Sequence, residues 1–347
     1  MQKQLLRALI NVPLTFNSLV VETTNRCNAR CAICYQSSGP KGSDILGLSN
    51  LSIPVIKRII REAGKIDTMK KRFHLAGGEV FLDIDKCIQL VEYAKKYNYL
   101  IISTTTNAFW ASNKNKAKDV SEKLRKAGLT NIEISWDYWH KQYIDPNAIN
   151  NCINACKDVG IEVNLRLLST KSHSHGEALS FLQLESVERA DMITCGVVFP
   201  EGRAKKEIEP SDFFKKGIEG SCHSALNLTV SSSGNVYPCC AGIDQTDKYI
   251  FGNVKEKSII EIVATMNRSQ IFRTLAFLGV KFFIPILEKA GINIGKREEY
   301  GNPCDLCCTI FSRSDCVKVI KNHFDKLEKQ ALIKAVEYLK DKSREVV

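Results

Sequence analysis

Between residue 18 and about residue 200, short apolar runs alternate with longer stretches in which apolar residues return every three or four positions. Short runs separated by amphipathic stretches predict β-strands joined by surface helices, the pattern of a parallel sheet built from strand-helix units. Strands are expected near 18–23, 72–76, 99–105, 131–136, 161–168 and 192–198. Six such units fall short of the eight that close a TIM barrel, so the expectation is an α/β fold with a partial barrel. In α/β barrels chemistry sits at the C-terminal strand ends, which makes the residues straight after each run the candidates for a site.

Past Pro210 the pattern changes. Cys222 precedes Leu226-Asn-Leu-Thr-Val230, a Ser/Gly/Asn turn follows, and Val236-Tyr-Pro-Cys239-Cys240 comes next. Two β-rich runs around such a turn predict a hairpin whose open end carries Cys222 and Cys239. A helical stretch to about residue 272 leads into Leu275–Leu287, an apolar run of 13 residues interrupted by Lys281 and Pro285. A membrane span needs about 20 residues, so this run is expected in a core or in the wall of a substrate channel. The recurrence of Val317, Ile320, Phe324, Leu327 and Ala331 predicts a terminal amphipathic helix packed on one of the two preceding parts. The division expected is therefore 1–200 for the barrel, 201–316 for a smaller cysteine-rich domain and 317–347 for the helix.

Composition adjusts this picture only slightly. A chain of 347 residues with 44% hydrophobic and 25% charged content is ordinary for a globular protein. The formal net charge is +11, yet Lys and Arg are dispersed and interleaved with acids, as from Lys321 to Arg344. That distribution reads as solvated helix faces with a lean towards an acidic partner, and no motif supports nucleic-acid binding. Fourteen cysteines without an export signal point to a reducing, cytoplasmic setting and metal-bound thiolates, against a disulfide framework. Only about 17 residues precede the first strand, so a separate N-terminal peptide-recognition domain is not expected.

The decisive chemistry is in Glu22-Thr-Thr-Asn-Arg-Cys27-Asn-Ala-Arg-Cys31-Ala-Ile-Cys34. Three thiolates in one loop can close on a single metal centre, but structural zinc normally takes four ligands and the nearest histidine, His74, is distant in sequence. Iron-sulfur clusters also usually take four thiolates, so a local set of three suggests a cluster with one iron open to another ligand. The Cys27-x3-Cys31-x2-Cys34 loop straight after an apolar strand resembles the signature of radical S-adenosylmethionine (radical SAM) enzymes. That resemblance implies a (β/α)6 partial barrel and a 4Fe-4S cluster whose open iron chelates SAM. It also implies cleavage of SAM to a 5'-deoxyadenosyl radical and an electron donor of the flavodoxin or ferredoxin type. The family usually has an aromatic residue before the third cysteine, where Ile33 would make an aliphatic contact with adenine.

Further motifs follow the strands. Gly77-Gly78-Glu79 after the second strand resembles the family's GGE motif, in which glycines allow close backbone approach and the carboxylate accepts from the SAM ammonium. By the same resemblance Asn107, Ser135 and Asp137 would line the SAM site, with Arg166 a candidate for the SAM carboxylate. His140, which follows three aromatic or acidic positions, is either within reach of substrate or a surface or packing residue. Pro200-Glu-Gly-Arg203-Ala resembles a turn common in the family's larger members and is expected to mark the exit from the barrel.

The spacing of Cys222, Gly234-x4-Cys239 and Cys304-x2-Cys307 resembles the auxiliary-cluster domains called SPASM and, in shortened form, twitch. Cys222, Cys239, Cys304 and Cys307 would complete one further 4Fe-4S cluster, with zinc on the same thiolates as the competing reading. Cys308 and Cys316 have the wrong spacing for another, so two clusters are expected in all. Taken together, Asn107-Ala-Phe-Trp110, Ser135-Trp-Asp137-Tyr-Trp-His140 and Gly234-Asn-Val-Tyr-Pro-Cys239-Cys240 resemble the radical SAM peptide epimerases, which convert L residues of ribosomally made peptides to D. Such a reaction needs a second hydrogen donor. Cys240 is the candidate, since it neighbours an expected ligand and alternates to the opposite side of an extended strand. A small buried core residue is the other reading of Cys240. A radical SAM dehydrogenase or small-molecule modifier, with the auxiliary cluster as electron acceptor, is the nearest alternative function, and a non-catalytic iron-sulfur or zinc protein the remote one.

Overall fold

The computed structural model describes residues 13–218, 222, 224–239 and 248–344. Six parallel strands form its frame: β1 (Ser18–Glu22), β4 (Arg72–Ala76), β5 (Ile101–Thr106), β6 (Asn131–Ser135), β7 (Glu162–Ser169) and β8 (Met192–Val197). They pair in that order, each with the next, and β2 (Ser38–Gly39) and β3 (Gly42–Ser43) form a small hairpin inside the cysteine-bearing connection.

The connecting helices start and stop where the sequence supplies caps. Asp83 accepts from Lys86 N at 2.9 Å ahead of helix Ile84–Lys96, whose last turn carries Lys95 and Lys96 against the negative end of the helix dipole. Asn113 caps helix Lys114–Ala127, which stops at Gly128 in the left-handed region (φ +117°). Pro146 opens helix Pro146–Asp158 behind its cap Asp145.

Alternation along the middle strands decides what faces where. Ile102, Ile132, Ile134, Val163, Leu165 and Leu167 are fully buried beneath the helices. The intervening side chains face the barrel interior and are polar: His74, Ser103, Thr105, Glu133, Asn164 and Arg166. Buried parallel strands ordinarily read as continuous apolar runs, so this inner face belongs to a ligand-sized space and not to a packed core.

The hairpin predicted after Cys222 is present as β9 (Asn227–Val230) and β10 (Val236–Tyr237), but it extends the barrel sheet. β9 runs parallel to β1, with Leu19 opposite Leu228, which makes one sheet of eight strands in the order β10-β9-β1-β4-β5-β6-β7-β8. Leu228, Val230, Val236, Val254, Ile259 and Ile262 accordingly belong to the barrel's core. The apolar core does not divide at residue 200. A second core begins with Ile218, Cys239 and Tyr249 and is built largely by residues 271 to 324. It includes Leu275, Val280, Phe283 and Leu287 of the long apolar run, and the terminal helix Ser314–Arg344 packs on this second core through Cys316, Val317, Ile320 and Phe324. Among the described residues no helix is long and apolar enough to cross a membrane.

Candidate active site

The loop after β1 is seated by backbone contacts with the exit of β4. Gly78 N donates to Thr24 O at 2.7 Å and Glu79 N to Arg26 O at 2.8 Å. A Cβ on Gly77 would lie 2.4 Å from Thr24 O, and one on Gly78 2.1 Å from Arg26 O. The close approach anticipated for these two glycines is therefore an approach to the chain's own cysteine loop. The loop also turns on itself, Cys27 N donating to Gly39 O at 3.0 Å and Cys34 N to Cys31 O at 3.1 Å.

Cys27, Cys31 and Cys34 line one cavity of about 240 Å³ inside the C-terminal mouth of the barrel, with Ile33 beside them. Burial raises the Cys27 thiol well above its ordinary pKa, with Glu79 and then the other two cysteines adding to the shift, and burial likewise raises Cys34. Thiols whose ionisation is opposed by burial and by neighbouring cysteines, as at Cys27 and Cys34, suit a cationic metal centre, since binding it would offset both effects. The donor set therefore fits an iron-sulfur cluster.

Of the residues expected around SAM, Gly77, Gly78, Glu79, Asn107, Ser135 and Arg166 line this same cavity. Glu79 is 1% exposed and accepts from Phe81 N (2.9 Å), Thr106 Oγ1 (2.8 Å) and Asn107 N (2.8 Å). Burial nevertheless pushes its pKa up to about 7, against those three hydrogen bonds. Asn107 turns its side-chain amide towards Cys27 Sγ at 3.7 Å and Asn28 Oδ1 at 2.9 Å.

Asp137 is not among the cavity-lining residues. Its Oδ1 caps the following helix, accepting from Trp139 N and His140 N at 3.1 Å each, and the same oxygen meets His140 Nδ1 at 2.8 Å. His140 lines the cavity in its place. Burial would push the His140 pKa down, but the Asp137 carboxylate, with Cys31 adding to it, raises it well above the ordinary histidine value.

Below these groups lies a layer that the strand pattern did not announce. His74 Nδ1 meets Ser103 Oγ at 2.8 Å and its Nε2 meets Thr105 Oγ1 at 3.0 Å. Thr105 reaches Glu133 Oε1 at 3.3 Å, Asn164 Nδ2 donates to Glu133 Oε2 at 3.1 Å, and Arg166 stands 3.7 Å from Glu133. Burial lowers the His74 pKa, so its imidazole is neutral at physiological pH. The only sequence signal for this layer was the alternation within Ile101–Thr106, Asn131–Ser135 and Glu162–Ser169.

In the second core, Cys304 and Cys307 occupy one face of helix Pro303–Phe311. Burial raises the Cys304 thiol to about 11, with Cys222 adding to the shift, and it raises Cys307 well above the ordinary value, with Cys222 and Cys304 contributing. Cys222 and Cys304 thus stand close enough to Cys307 to oppose its ionisation. Buried Cys308, in turn, feels Cys307, Cys239 and Cys304, which brings Cys239 to the same region. Cys240 lies outside the described residues. Cys195 pairs in register with Leu167, which packs outward beneath the helices, while the next residue, Leu168, lines the cavity. The Cys195 side chain therefore points away from the cavity.

A model of the radical SAM superfamily matches residues 21–173, and a model of the SPASM iron-sulfur cluster-binding domain matches residues 222–309. The chain is a radical SAM enzyme with a SPASM domain. These domains imply a 4Fe-4S cluster and SAM in the barrel and further iron-sulfur binding in the SPASM domain. YydG of Bacillus subtilis (strain 168), named as a putative peptide biosynthesis protein, is 23% identical over 321 residues, covering 88% of this chain and 95% of its own. A GTP 3',8-cyclase of Vibrio parahaemolyticus serotype O3:K6 (strain RIMD 2210633) is 32% identical over 185 residues, 48% of this chain and half of that one. Among solved structures, a histidine-tagged anSMEcpe with bound AdoMet aligns over 94% of this chain and 96% of its own with a TM-score of 0.56 at 17% identity, a likeness of fold.

Proposed function

We propose that this radical SAM enzyme is a peptide epimerase, in which Cys27, Cys31 and Cys34 hold one 4Fe-4S cluster and Cys222, Cys239, Cys304 and Cys307 hold a second. When bound, the first cluster and SAM supply a 5'-deoxyadenosyl radical that takes a hydrogen atom from a peptide Cα. Glu79 accepts a hydrogen bond from the SAM ammonium through the lone pair its three protein donors leave open. Asn107 and Ser135 orient the remainder of SAM, and Arg166 pairs with its carboxylate. Cys240 then gives its S–H hydrogen atom to the opposite face of the carbon radical, leaving a D residue and a thiyl. Restoring the Cys240 thiol takes a proton from solvent and one further electron, which the second cluster, when bound, would relay from the same external donor that starts the cycle. A flavodoxin- or ferredoxin-type donor delivers the electron that starts the cycle.

The observation that supports the peptide part of this reading is the match to YydG along nearly the whole of both chains. The test uses the anaerobically reconstituted enzyme, SAM, a reductant and a candidate ribosomal peptide, taken from a short neighbouring reading frame where one exists, in heavy water. The expected product carries a D residue and is heavier by one deuterium at the inverted carbon. Cys240→Ala should still release 5'-deoxyadenosine but make no D residue. A product two hydrogens lighter in ordinary water would overturn epimerisation in favour of dehydrogenation.

A further inference from the structure

The Pro200-Glu-Gly-Arg203-Ala turn does more than leave the barrel. Arg203 is 2% exposed and its guanidinium reaches into the cysteine loop, Nη1 donating to Cys31 O at 2.7 Å and Nη2 to Ser38 O at 2.7 Å. Its backbone N–H donates to Cys34 O at 3.0 Å. One residue thus grips the loop at two of the three cysteines and at Ser38, whose own N–H points at Cys34 Sγ at 3.4 Å. Gly202 makes the grip possible. It sits in the left-handed region (φ +58°), and a Cβ there would lie 2.0 Å from Tyr35 O.

The charge of Arg203 is balanced on its outer side only. Nε donates to Asp44 Oδ2 at 3.0 Å, and Glu207 Oε1 stands 3.9 Å away. Both acids are shared with the half-exposed Arg30, at 2.9 and 2.8 Å. On its inner side Arg203 meets carbonyls of the loop that carries the thiols. Charge and hydrogen bonding near a cluster are among the determinants of its reduction potential, and a guanidinium shielded from water acts at lower dielectric than a surface one.

We propose that Arg203 is a positioning residue for the cluster at Cys27, Cys31 and Cys34: its fork fixes the loop that aims the thiolates, and its buried charge favours the more negative, reduced state of that cluster. The proposal rests on the ligand assignment given above. Asp44 and Glu207 moderate the effect from the solvent side.

The test is a redox titration of the full-length, anaerobically reconstituted enzyme, following by electron paramagnetic resonance the reduced-cluster signal that changes on addition of SAM. Arg203→Gln keeps amide donors and removes the charge, so its midpoint should move to more negative potential. Arg203→Lys keeps the charge without the fork and should stay nearer the wild type. Asp44→Asn leaves the guanidinium's contacts with Cys31 and Ser38 in place and uncovers its charge, so its midpoint should move to more positive potential. Unchanged midpoints in both Arg203→Gln and Asp44→Asn would overturn the proposal, and Asp44→Asn decides alone if Arg203→Gln cannot retain iron. A wild-type enzyme without any SAM-responsive signal would overturn instead the ligand assignment beneath it.

Discussion

The two cysteine sets of this enzyme are assembled in opposite ways. Cys27, Cys31 and Cys34 sit within one loop, and what the fold adds is a seat for that loop: the exit of β4 behind it, Asn107 from beyond β5 beside it and Arg203 from beyond β8 across it. The set proposed for the second cluster, Cys222, Cys239, Cys304 and Cys307, comes from three separate segments, of which Cys222, Cys239 and Cys307 pack in the second core. A local set of ligands survives changes elsewhere as long as its seat is intact. A dispersed set depends on the cooperative folding of everything between its members.

Replacing Cys27, Cys31 and Cys34 together by Ala breaks that comparison most sharply. SAM cleavage should vanish, while iron should fall from about eight per chain to about four, the content of one remaining 4Fe cluster. Iron analysis and assay of 5'-deoxyadenosine check both statements, and complete loss of iron would show that the two sites do not form independently.

Gly78→Ala attacks the seat and spares the ligands. Its Cβ would meet Arg26 O at 2.1 Å and Arg26 C at 2.5 Å, both backbone atoms that cannot swing aside. The expected outcome is loss of the first cluster with the second retained, which the iron count and the visible spectrum of the purified protein report.

A smaller effect is expected at Glu79. Glu79→Ala should weaken SAM binding by about ten- to a hundredfold, from loss of a charge-assisted hydrogen bond worth about 1.5–3 kcal/mol. The same change strips Phe81 N and Asn107 N of their acceptor, so Glu79→Gln, which keeps an acceptor, is the cleaner probe. Because burial holds this carboxyl at about 7, the fraction ionised falls as pH drops through 7, and with it the attraction for an ammonium group. SAM affinity should therefore weaken below pH 7 in the wild type and stay flat in Glu79→Gln, as calorimetry across that window would reveal.

The smallest effect belongs to Cys195→Ala. The thiol is exposed on the outer side of β8, so turnover should match the wild type. A loss of turnover in this variant would bring into the reaction a thiol on a face of the sheet that the cavity does not touch.

Much of the barrel was legible because short strands flanked by amphipathic helices leave a strong periodic signal. The six predicted runs lie within two residues of β1, β4, β5, β6, β7 and β8 at both ends. The hairpin at Asn227–Val230 was equally legible as a hairpin. Its attachment beside β1 was not, since strand order depends on contacts between segments some two hundred residues apart and leaves no local mark. Asp137 shows the same limit at a single side chain. A carboxylate at a strand end reads as a ligand, and only the backbone of Tyr138–Lys141 reveals that its Oδ1 is already taken by two N–H groups and His140.

The sequence by itself determined the class of chemistry, because three cysteines within eight residues after a strand constrain one another whatever the rest of the chain does. It also determined the strand-helix rhythm and the glycines at Gly77 and Gly78, though not what those glycines approach. Tertiary structure alone decided that Asp137 orients His140, that a polar layer from His74 to Arg166 underlies the cavity, and that Arg203 closes over the cysteine loop from 172 positions beyond Cys31. For the last two the physical reason is common: each depends on which polar atoms meet across distant segments, and a buried donor or acceptor must find a partner that the local sequence does not specify. Asp137 and His140 are only three residues apart, and there the cap conformation ahead of Tyr138–Lys141 decides the pairing.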